Sequence, residues 1–310
     1  MKKSQLGSTD ISVSAIGFGA SSLGGGVFGP VEEADAIAAV HAALDCGITL
    51  FDVSPFYGNT RAENVLGKAL RGISRDRFLL STKAGRYGDD LFDFSPERVR
   101  RSIDESLMRL GLDHVDLLHV HDVEYGDLHS IAEQTIPELQ RIAIAGKARL
   151  IGVTGYPLAA LRTLTSSAHV DCVLSDNHCA PNDTTLLDLL PEFSKNGIGI
   201  ISAGALSQGL LAGTVLPSWH PAPPHVRIAC ANAVDFTRSQ GADPAALAIQ
   251  FASAQPGIAS TLIGITNARQ VEAAVNAVES PMDDNLLREV LCILKPIHNP
   301  TWQTGRAENN

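Results

Sequence analysis

The sequence of 310 residues lacks the features that mark several protein classes. No apolar run reaches the ~20 residues that a membrane-spanning helix needs. The N-terminal segment MKKSQLGSTD is basic but has no apolar core of a signal peptide. The net charge is −10 and Lys and Arg do not cluster, so neither nucleic acid nor an anionic membrane is an expected partner. We therefore expect a cytoplasmic protein.

Cysteine is also scarce. The chain has five cysteines, an odd number, and none of them form a CxxC pair. This pattern argues against a disulfide framework and against a zinc site. We expect free thiols in a reducing compartment and no metal.

Short β-rich runs alternate with amphipathic helical segments along the whole chain. One helix is predicted over 95–110, with Ser95 as its N-cap, Pro96 in its first turn and Gly111 at its end. The eight predicted strands are 15–20, 49–54, 78–84, 115–121, 148–154, 172–177, 199–204 and 261–266. Eight strand–helix units favour a closed (β/α)8 TIM barrel over an open doubly wound sheet.

The open alternative also lacks its nucleotide-binding fingerprint. The three glycines at 24–26 fall in a loop without the GxGxxG spacing. Three additions to the barrel are expected: a hairpin over 3–14, a proline-rich loop over 212–225 and an extra C-terminal helix over 283–297. No linker is visible, so we expect one domain over 1–310.

Three ionisable side chains are predicted to meet at one end of the barrel. Chemistry in a TIM barrel takes place where the strands end, at the C-terminal face. Side chains alternate along a strand, and this alternation directs Asp52, Lys83 and His121 into the barrel. Tyr57 follows on the loop after the second barrel strand.

Together these groups suit acid–base chemistry at a carbonyl or carbinol. A phenol is a poor acid or base at neutral pH, and we expect the ammonium of Lys83 to lower the pKa of Tyr57. Asp52 would hold Lys83 in place, and His121 would donate to or accept from the reacting oxygen. Each group alone also fits a structural ion pair or a core histidine. His119, which lies deeper, is interpreted as structural.

The motifs GITLFDVSPFYGNTRAENVLGKAL, LLSTKAG, VDLLHVHD and GITNARQVEAAV closely resemble those of the aldo-keto reductase family over nearly the whole chain. This resemblance implies that Tyr57 is the proton donor or acceptor, with Asp52, Lys83 and His121 as its partners. It also implies a nicotinamide cofactor that lies across the barrel mouth without a Rossmann fold.

The resemblance places the cofactor against several strand ends and loops, with some departures from the family pattern. Thr154-Gly155 stands where the family has Ser-Asn, Leu174-Ser175 where it has glutamine, and Ala274 where it has an asparagine facing adenine. The implied cofactor-binding residues are Gly19, Thr154, Ser202, Ala203, Leu206, Gln208, Gly209, Leu211, Gly264, Thr266, Asn267 and Gln270.

The same region bears on the choice of nucleotide. A 2′-phosphate normally needs a Lys or Arg clamp. Ile265 occupies the position where lysine is common, Gln270 stands near the usual arginine, and Arg269 is the one local cation. We expect NAD as the cofactor, with NADP less favoured.

Other motifs narrow the resemblance to the subgroup that contains L-galactose dehydrogenases and D-threo-aldose (L-fucose) 1-dehydrogenases, which oxidise a sugar at C1 to the lactone. These motifs include the segment 83–126 and the terminal NPTWQTG. The implied substrate contacts are Phe56, Asp122, His178, Trp219 and Trp302. Trp219 and Trp302 could equally anchor their own loop and tail.

Two other functions stay open at this point. One is a general aldehyde or ketone reductase that uses NADPH. The other is a regulatory barrel that senses the nucleotide. The sequence does not indicate the oligomeric state or the preferred sugar.

Overall fold

The computed structural model describes residues 1–25, 29–216 and 220–310. The strands are β1 (Lys3–Gln5), β2 (Ser12–Ser14), β3 (Ile16–Gly19), β4 (Leu50–Asp52), β5 (Leu79–Ala84), β6 (Val115–Val120), β7 (Ala148–Gly155), β8 (Cys172–Asp176), β9 (Gly199–Ala203) and β10 (Ser260–Gly264). The helices are α1 (Glu33–Asp45), α2 (Arg61–Leu70), α3 (Pro96–Leu110), α4 (Leu128–Ser130), α5 (Ile136–Ile144), α6 (Leu158–Ser167), α7 (Leu190–Lys195), α8 (Pro224–Ser239), α9 (Pro244–Ser253), α10 (Ala268–Glu279) and α11 (Asp284–Leu294).

Strands β3 to β10 form a closed barrel in chain order, and β10 pairs with β3 to complete it. Every neighbouring pair in the barrel is parallel. The predicted TIM barrel is therefore confirmed. All eight predicted strands are present.

Alternation along the strands separates two cores. Phe51 and Val53 belong to the large cluster between barrel and helices. Leu50 and Leu117 belong to a smaller cluster inside the barrel, where they meet Leu6 from the hairpin segment. The antiparallel hairpin β1–β2 thus covers the bottom of the barrel, as predicted.

Helix α3 illustrates how local sequence sets an element. The Ser95 side chain accepts a hydrogen bond from the backbone N–H of Arg98, and Pro96 occupies the first turn. Gly111 ends the helix at a φ of 69°, a left-handed conformation that favours glycine. Its buried side includes Val99, Ile103 and Leu107.

Two predicted additions differ in their bounds. The loop predicted over 212–225 is shorter, because α8 already begins at Pro224, and residues 217–219 of that loop lie outside the described residues. The helix predicted over 283–297 ends at Leu294 and continues as a 3-10 turn, Lys295–Ile297. In the part of the chain that is described, no helix is long and apolar enough to cross a bilayer.

Candidate active site

A buried ion pair lies at the centre of the barrel mouth. Lys83 Nζ is 2.5 Å from Asp52 Oδ2 and also donates to the backbone oxygen of Val53 at 3.0 Å. The Ser81 hydroxyl donates to the other oxygen of Asp52 at 2.7 Å. Asp52 is 3% and Lys83 1% exposed, so each charge is compensated without water. Such a pair would be costly to break, because the remaining charge would be buried alone.

Tyr57 lies beside this pair. The Lys83 ammonium is 4.9 Å from the centre of the Tyr57 ring, and the His121 ring meets Tyr57 edge-on, with 5.6 Å between the ring centres. The four side chains that alternation and resemblance predicted are thus brought together. Their convergence comes from the ends of β4, β5 and β6, which are neighbours in the barrel.

The electrostatic effect on Tyr57 differs from the expectation. Its pKa is raised well above the ordinary value, first by burial and then by the negative charges of Asp52, Asp122 and Asp176. The cation that opposes this rise is Arg86, whereas Lys83 is matched by Asp52. The phenol therefore keeps its proton at neutral pH.

His121 is buried, and one ring nitrogen has a hydrogen-bond partner. Its Nδ1 is 3.0 Å from the Ser54 hydroxyl oxygen, and its Nε2 is 3.6 Å from Asp122 Oδ1. Burial, together with the charges of Lys83 and Arg86, lowers the pKa of His121 to about 3 against the opposing effect of Asp122. The imidazole is consequently neutral in the physiological range.

Arg86 and Asp122 form a second ion pair at the mouth. Arg86 Nη1 is 2.6 Å from Asp122 Oδ2, and both side chains are partly exposed. The guanidinium lies 3.8 Å from the centre of the Phe56 ring and also near the rings of Phe92 and Tyr125. Stacking of a planar cation on aromatic rings fixes its position.

Asp176 is a site residue that the sequence analysis missed. It follows Cys172 and Leu174 on the inner face of β8, and both of these belong to the cluster inside the barrel. Burial and the nearby charge of Asp122 raise its pKa. The same alternation that selected Asp52 could have identified it, since it is the last inward position of its strand.

His119 lies below the mouth, as predicted for a structural residue. Its Nδ1 is 3.2 Å from the Ser81 hydroxyl, and its Nε2 is 3.4 Å from the thiol of Cys172. Burial lowers the pKa of His119 to about 3. These contacts link β5, β6 and β8 across the barrel interior beneath Asp52.

The implied cofactor-binding residues on the barrel strands lie either near the ends of their strands or fully buried in the interior. Gly19 pairs in register with both Asp52 and Gly264, at the ends of their strands. Thr154 is the last residue but one of β7, and its side chain lies on the inner side, opposite to that of Val153. Ser202 is different, because it is fully buried and its hydroxyl is 3.1 Å from that of Thr261.

The loop after β9 carries Leu206, Gln208, Gly209 and Leu211, which follow the strand end at Ala203. Ser207 and Gln208 both have positive φ values, 50° and 54°, so the loop turns tightly. Gln208 Oε1 and both amide atoms of Asn177 are buried without a hydrogen-bond partner among the described residues. Unpaired buried amides at a loop are rare, and a bound polar group would satisfy them. Of these atoms only Asn177 Nδ2 can donate to a phosphate, whereas the two amide oxygens require a donor such as a hydroxyl or an amide N–H.

The segment after β10 is already closed by its own hydrogen bonds. Gln270 Oε1 accepts from the backbone N–H and the hydroxyl of Thr266, and Asn267 Oδ1 accepts from the N–H of Gln270. A phosphate at this helix start would be left with the remaining N–H groups of the first turn. Ile265 and Ala274 are buried, and Arg269 is exposed.

The implied substrate contacts divide into three groups. Phe56 and Asp122 lie at the mouth beside His121. His178 has both ring nitrogens bonded within the protein, to Asp183 and to the backbone oxygen of Tyr156. Trp302 stacks on Tyr156 with 5.4 Å between the ring centres. Trp219 lies outside the described residues.

Tyr156, His178 and Trp302 help to line a cavity of about 240 Å³. In the described ranges no three His, Cys, Asp or Glu side chains are placed to hold a metal ion.

Comparison with known proteins assigns the chain to a family. The sequence model of the Aldo/keto reductase family matches residues 15–291. The chain is 48% identical to L-galactose dehydrogenase from Arabidopsis thaliana, over 98% of each chain. The chain belongs to the aldo/keto reductase family.

Two further relatives agree with this placement. D-threo-aldose 1-dehydrogenase from a Pseudomonas species is 32% identical over 65% of this chain and 68% of its own. The holo form of aldo-keto reductase AKR11C1 from Bacillus halodurans has the same fold, with a TM-score of 0.79 at 24% identity over 95% and 96% of the two chains. The protein is therefore an oxidoreductase enzyme, and members of its family use nicotinamide cofactors.

Proposed function

We propose that this enzyme is an NAD-dependent aldose 1-dehydrogenase that oxidises L-galactose, L-fucose or a related sugar at C1 to the lactone. The observation that carries the proposal is the likeness to L-galactose dehydrogenase along almost all of both chains. The geometry supports it, because Asp122 and Asp176 place carboxylates near Tyr57. Carboxylates are strong hydrogen-bond acceptors and suit the hydroxyl groups of a sugar.

The chain's residues would divide the chemistry among them. When bound, the nicotinamide supplies the acceptor for the hydride that leaves C1. Tyr57, which is partly exposed, first releases its own proton to solvent and then takes the proton of the C1 hydroxyl, so that the C1–O bond becomes the carbonyl of the lactone. Lys83 and Asp52 exclude water from the bottom of the site and keep it rigid. His121 contacts the C1 oxygen of the sugar.

We assign the cofactor contacts to Gly19, Thr154 and the stretches that end β9 and β10. The unpaired Asn177 Nδ2, which can donate to a phosphate oxygen, supports the region between the ends of β8 and β9 as the contact for the diphosphate. Because Ser202 is fully buried, its hydroxyl would affect the cofactor indirectly, through its hydrogen bond with Thr261.

The preference for NAD rests on the surface after β10. Residues 264–274 contain a single cation, Arg269, whose side chain is exposed. A 2′-phosphate would meet no paired cations there, while Gln270 is occupied by Thr266. This arrangement favours an unphosphorylated ribose.

A reductase is the second candidate. The raised pKa of Tyr57 leaves the phenol protonated, and a protonated phenol is ready to donate to a carbonyl oxygen. Such an enzyme would act on aldehydes or ketones with a reduced cofactor.

A cofactor-coupled screen separates the two candidates. L-galactose, L-fucose and related aldoses are tested with NAD and with NADP, and aromatic aldehydes with NADH and NADPH. We expect turnover of one or more sugars, formation of the lactone and a kcat/KM at least about 10-fold higher with NAD, equivalent to about 1.4 kcal/mol. No sugar turnover, together with efficient NADPH-dependent reduction, would overturn the proposal.

A further inference from the structure

Ser54 occupies a position next to the site that the four catalytic side chains do not explain. It lies two residues beyond Asp52, and its side chain is completely buried. Its hydroxyl oxygen is 3.0 Å from His121 Nδ1 and accepts the backbone N–H of Phe56 at 3.1 Å. Among the described residues, the Ser54 hydroxyl forms these two hydrogen bonds and no others.

The donors and acceptors of this small group can be counted. A hydroxyl has one proton to donate and two lone pairs to accept with. The N–H of Phe56 uses one lone pair. If His121 Nδ1 carried a proton, it would use the other lone pair, and the hydroxyl proton would be buried without an acceptor. If Nδ1 is bare, the hydroxyl donates to it and every group is satisfied, which is the arrangement that buried polar groups adopt.

The proton of a neutral His121 then resides on Nε2. That nitrogen lies 3.6 Å from Asp122 Oδ1, beyond hydrogen-bond distance, so its N–H is free to donate to a bound oxygen. The burial and the neighbouring cations that keep His121 neutral are consistent with this arrangement.

We propose that Ser54 is a positioning residue that fixes His121 as its Nε2–H tautomer. His121 then donates a hydrogen bond to the reacting oxygen and cannot take its proton. Proton exchange at that oxygen is left to Tyr57 alone. The part that concerns the reacting oxygen rests on the proposed function, whereas the tautomer itself does not.

The tautomer can be measured without substrate. The chain has ten histidines, so the protein is labelled with 15N-histidine, and His121 is assigned as the signal missing from His121→Gln. Two-bond 1H–15N correlation distinguishes a bare from a protonated ring nitrogen. We expect a bare Nδ1 and a protonated Nε2 in the wild type and in Ser54→Thr, which keeps the hydroxyl. In Ser54→Ala we expect a mixture of tautomers or a protonated Nδ1.

Ser260→Ala is the matched control. Ser260 is also completely buried, but it is the first residue of β10 and so lies at the end of the barrel opposite to the mouth. The control should leave the His121 signal unchanged. A protonated Nδ1 in the wild type, or an identical His121 signal in Ser54→Ala, would overturn the proposal.

Activity gives an independent arm. Once a sugar substrate has been found, Ser54→Ala should lower kcat by about 10- to 100-fold, the range for losing an outer partner of a functional histidine. Ser54→Thr should recover most of that loss. A failure of the sugar screen with the expected tautomer would contradict the proposed function alone. Full activity of Ser54→Ala would contradict the role of Ser54.

Discussion

Tyr57 is the residue on which both the proposed chemistry and its direction depend. Replacement of Tyr57 by Phe removes the hydroxyl but keeps the ring that lies against Lys83 and His121. Turnover should fall by at least about 10²- to 10⁴-fold, the usual contribution of acid–base catalysis. Binding of NAD, followed by protein fluorescence, should change little.

Tyr87→Phe is the control for this variant. Tyr87 also has a largely enclosed phenol, whose oxygen accepts the backbone N–H of Gly85, but it lies on the loop behind Arg86. This control should keep most of its activity. Near-normal turnover by Tyr57→Phe would refute the assignment of the proton-transfer group.

The raised pKa of Tyr57 predicts a pH dependence. Oxidation needs the phenol without its proton, and burial together with Asp52 and Asp122 makes that form scarce at neutral pH. The kcat/KM for sugar oxidation should therefore rise as the pH increases above 7, as measured in initial-rate assays. A rate that falls over this range would contradict the account.

Glu124 predicts a pH effect on stability instead of on rate. Burial and the charge of Asp122 raise its pKa from about 4.5 to about 8. Between these values the folded chain binds more protons than the unfolded chain, so this group lowers the free energy of unfolding as the pH rises. Glu124→Gln cannot ionise and keeps an oxygen for the N–H of Tyr156 and the hydroxyl of Thr304.

The measurement is the thermal midpoint of both proteins at pH 5 and at pH 8. The stability of Glu124→Gln relative to the wild type should increase from pH 5 to pH 8. Parallel behaviour of the two proteins would show that Glu124 does not titrate in this window.

At the residue scale, the sequence predicts what alternation alone can determine. It directs Asp52, Lys83 and His121 inward, and the same rule applied to β8 would have selected Asp176. It does not predict the effect of Lys83 on Tyr57, because the compensation of Lys83 by Asp52 at 2.5 Å depends on distances in space. The roles of Arg86 and Ser54 also depend on contacts with loops and strands distant in sequence.

The elements of the fold are mostly encoded locally. The cap at Ser95, the proline at 96 and the glycine at 111 predict the bounds of α3 without any knowledge of its neighbours. The C-terminal tail is different. Trp302 stacks on Tyr156, and Asn309 is buried with its amide donating to the backbone oxygens of Glu124 and Gly126. A polar segment gives no periodic signal of such docking.

The tail contacts make a prediction at this scale. Asn309→Ala removes two hydrogen bonds to buried carbonyl groups and should destabilise the fold by about 1–3 kcal/mol. Asn310→Ala, which removes the exposed bonds to Thr304 and Arg306, should cost less. Urea unfolding of the two variants compares them directly. Equal stabilities would mean that the tail does not contribute through Asn309.

For the whole molecule, the alternation of eight strand and helix segments was sufficient to predict the barrel. Closure in chain order follows because parallel strands joined by short crossovers lie side by side. The mouth carries the catalytic group because the ends of β4, β5 and β6 meet there. The extent of one domain over 1–310 and the cytoplasmic location stay predictions.

The most direct test of the central claim follows one atom of the sugar. L-galactose, or another sugar identified by the screen, is prepared with deuterium at C1 and incubated with the enzyme and NAD, and both products are analysed by mass spectrometry. The account predicts that the deuterium moves to the reduced nicotinamide and that the lactone carries none, with no transfer by Tyr57→Phe. Deuterium retained in the oxidised sugar, or transfer by Tyr57→Phe at a rate close to that of the wild type, would contradict oxidation at C1 by the group built around Tyr57.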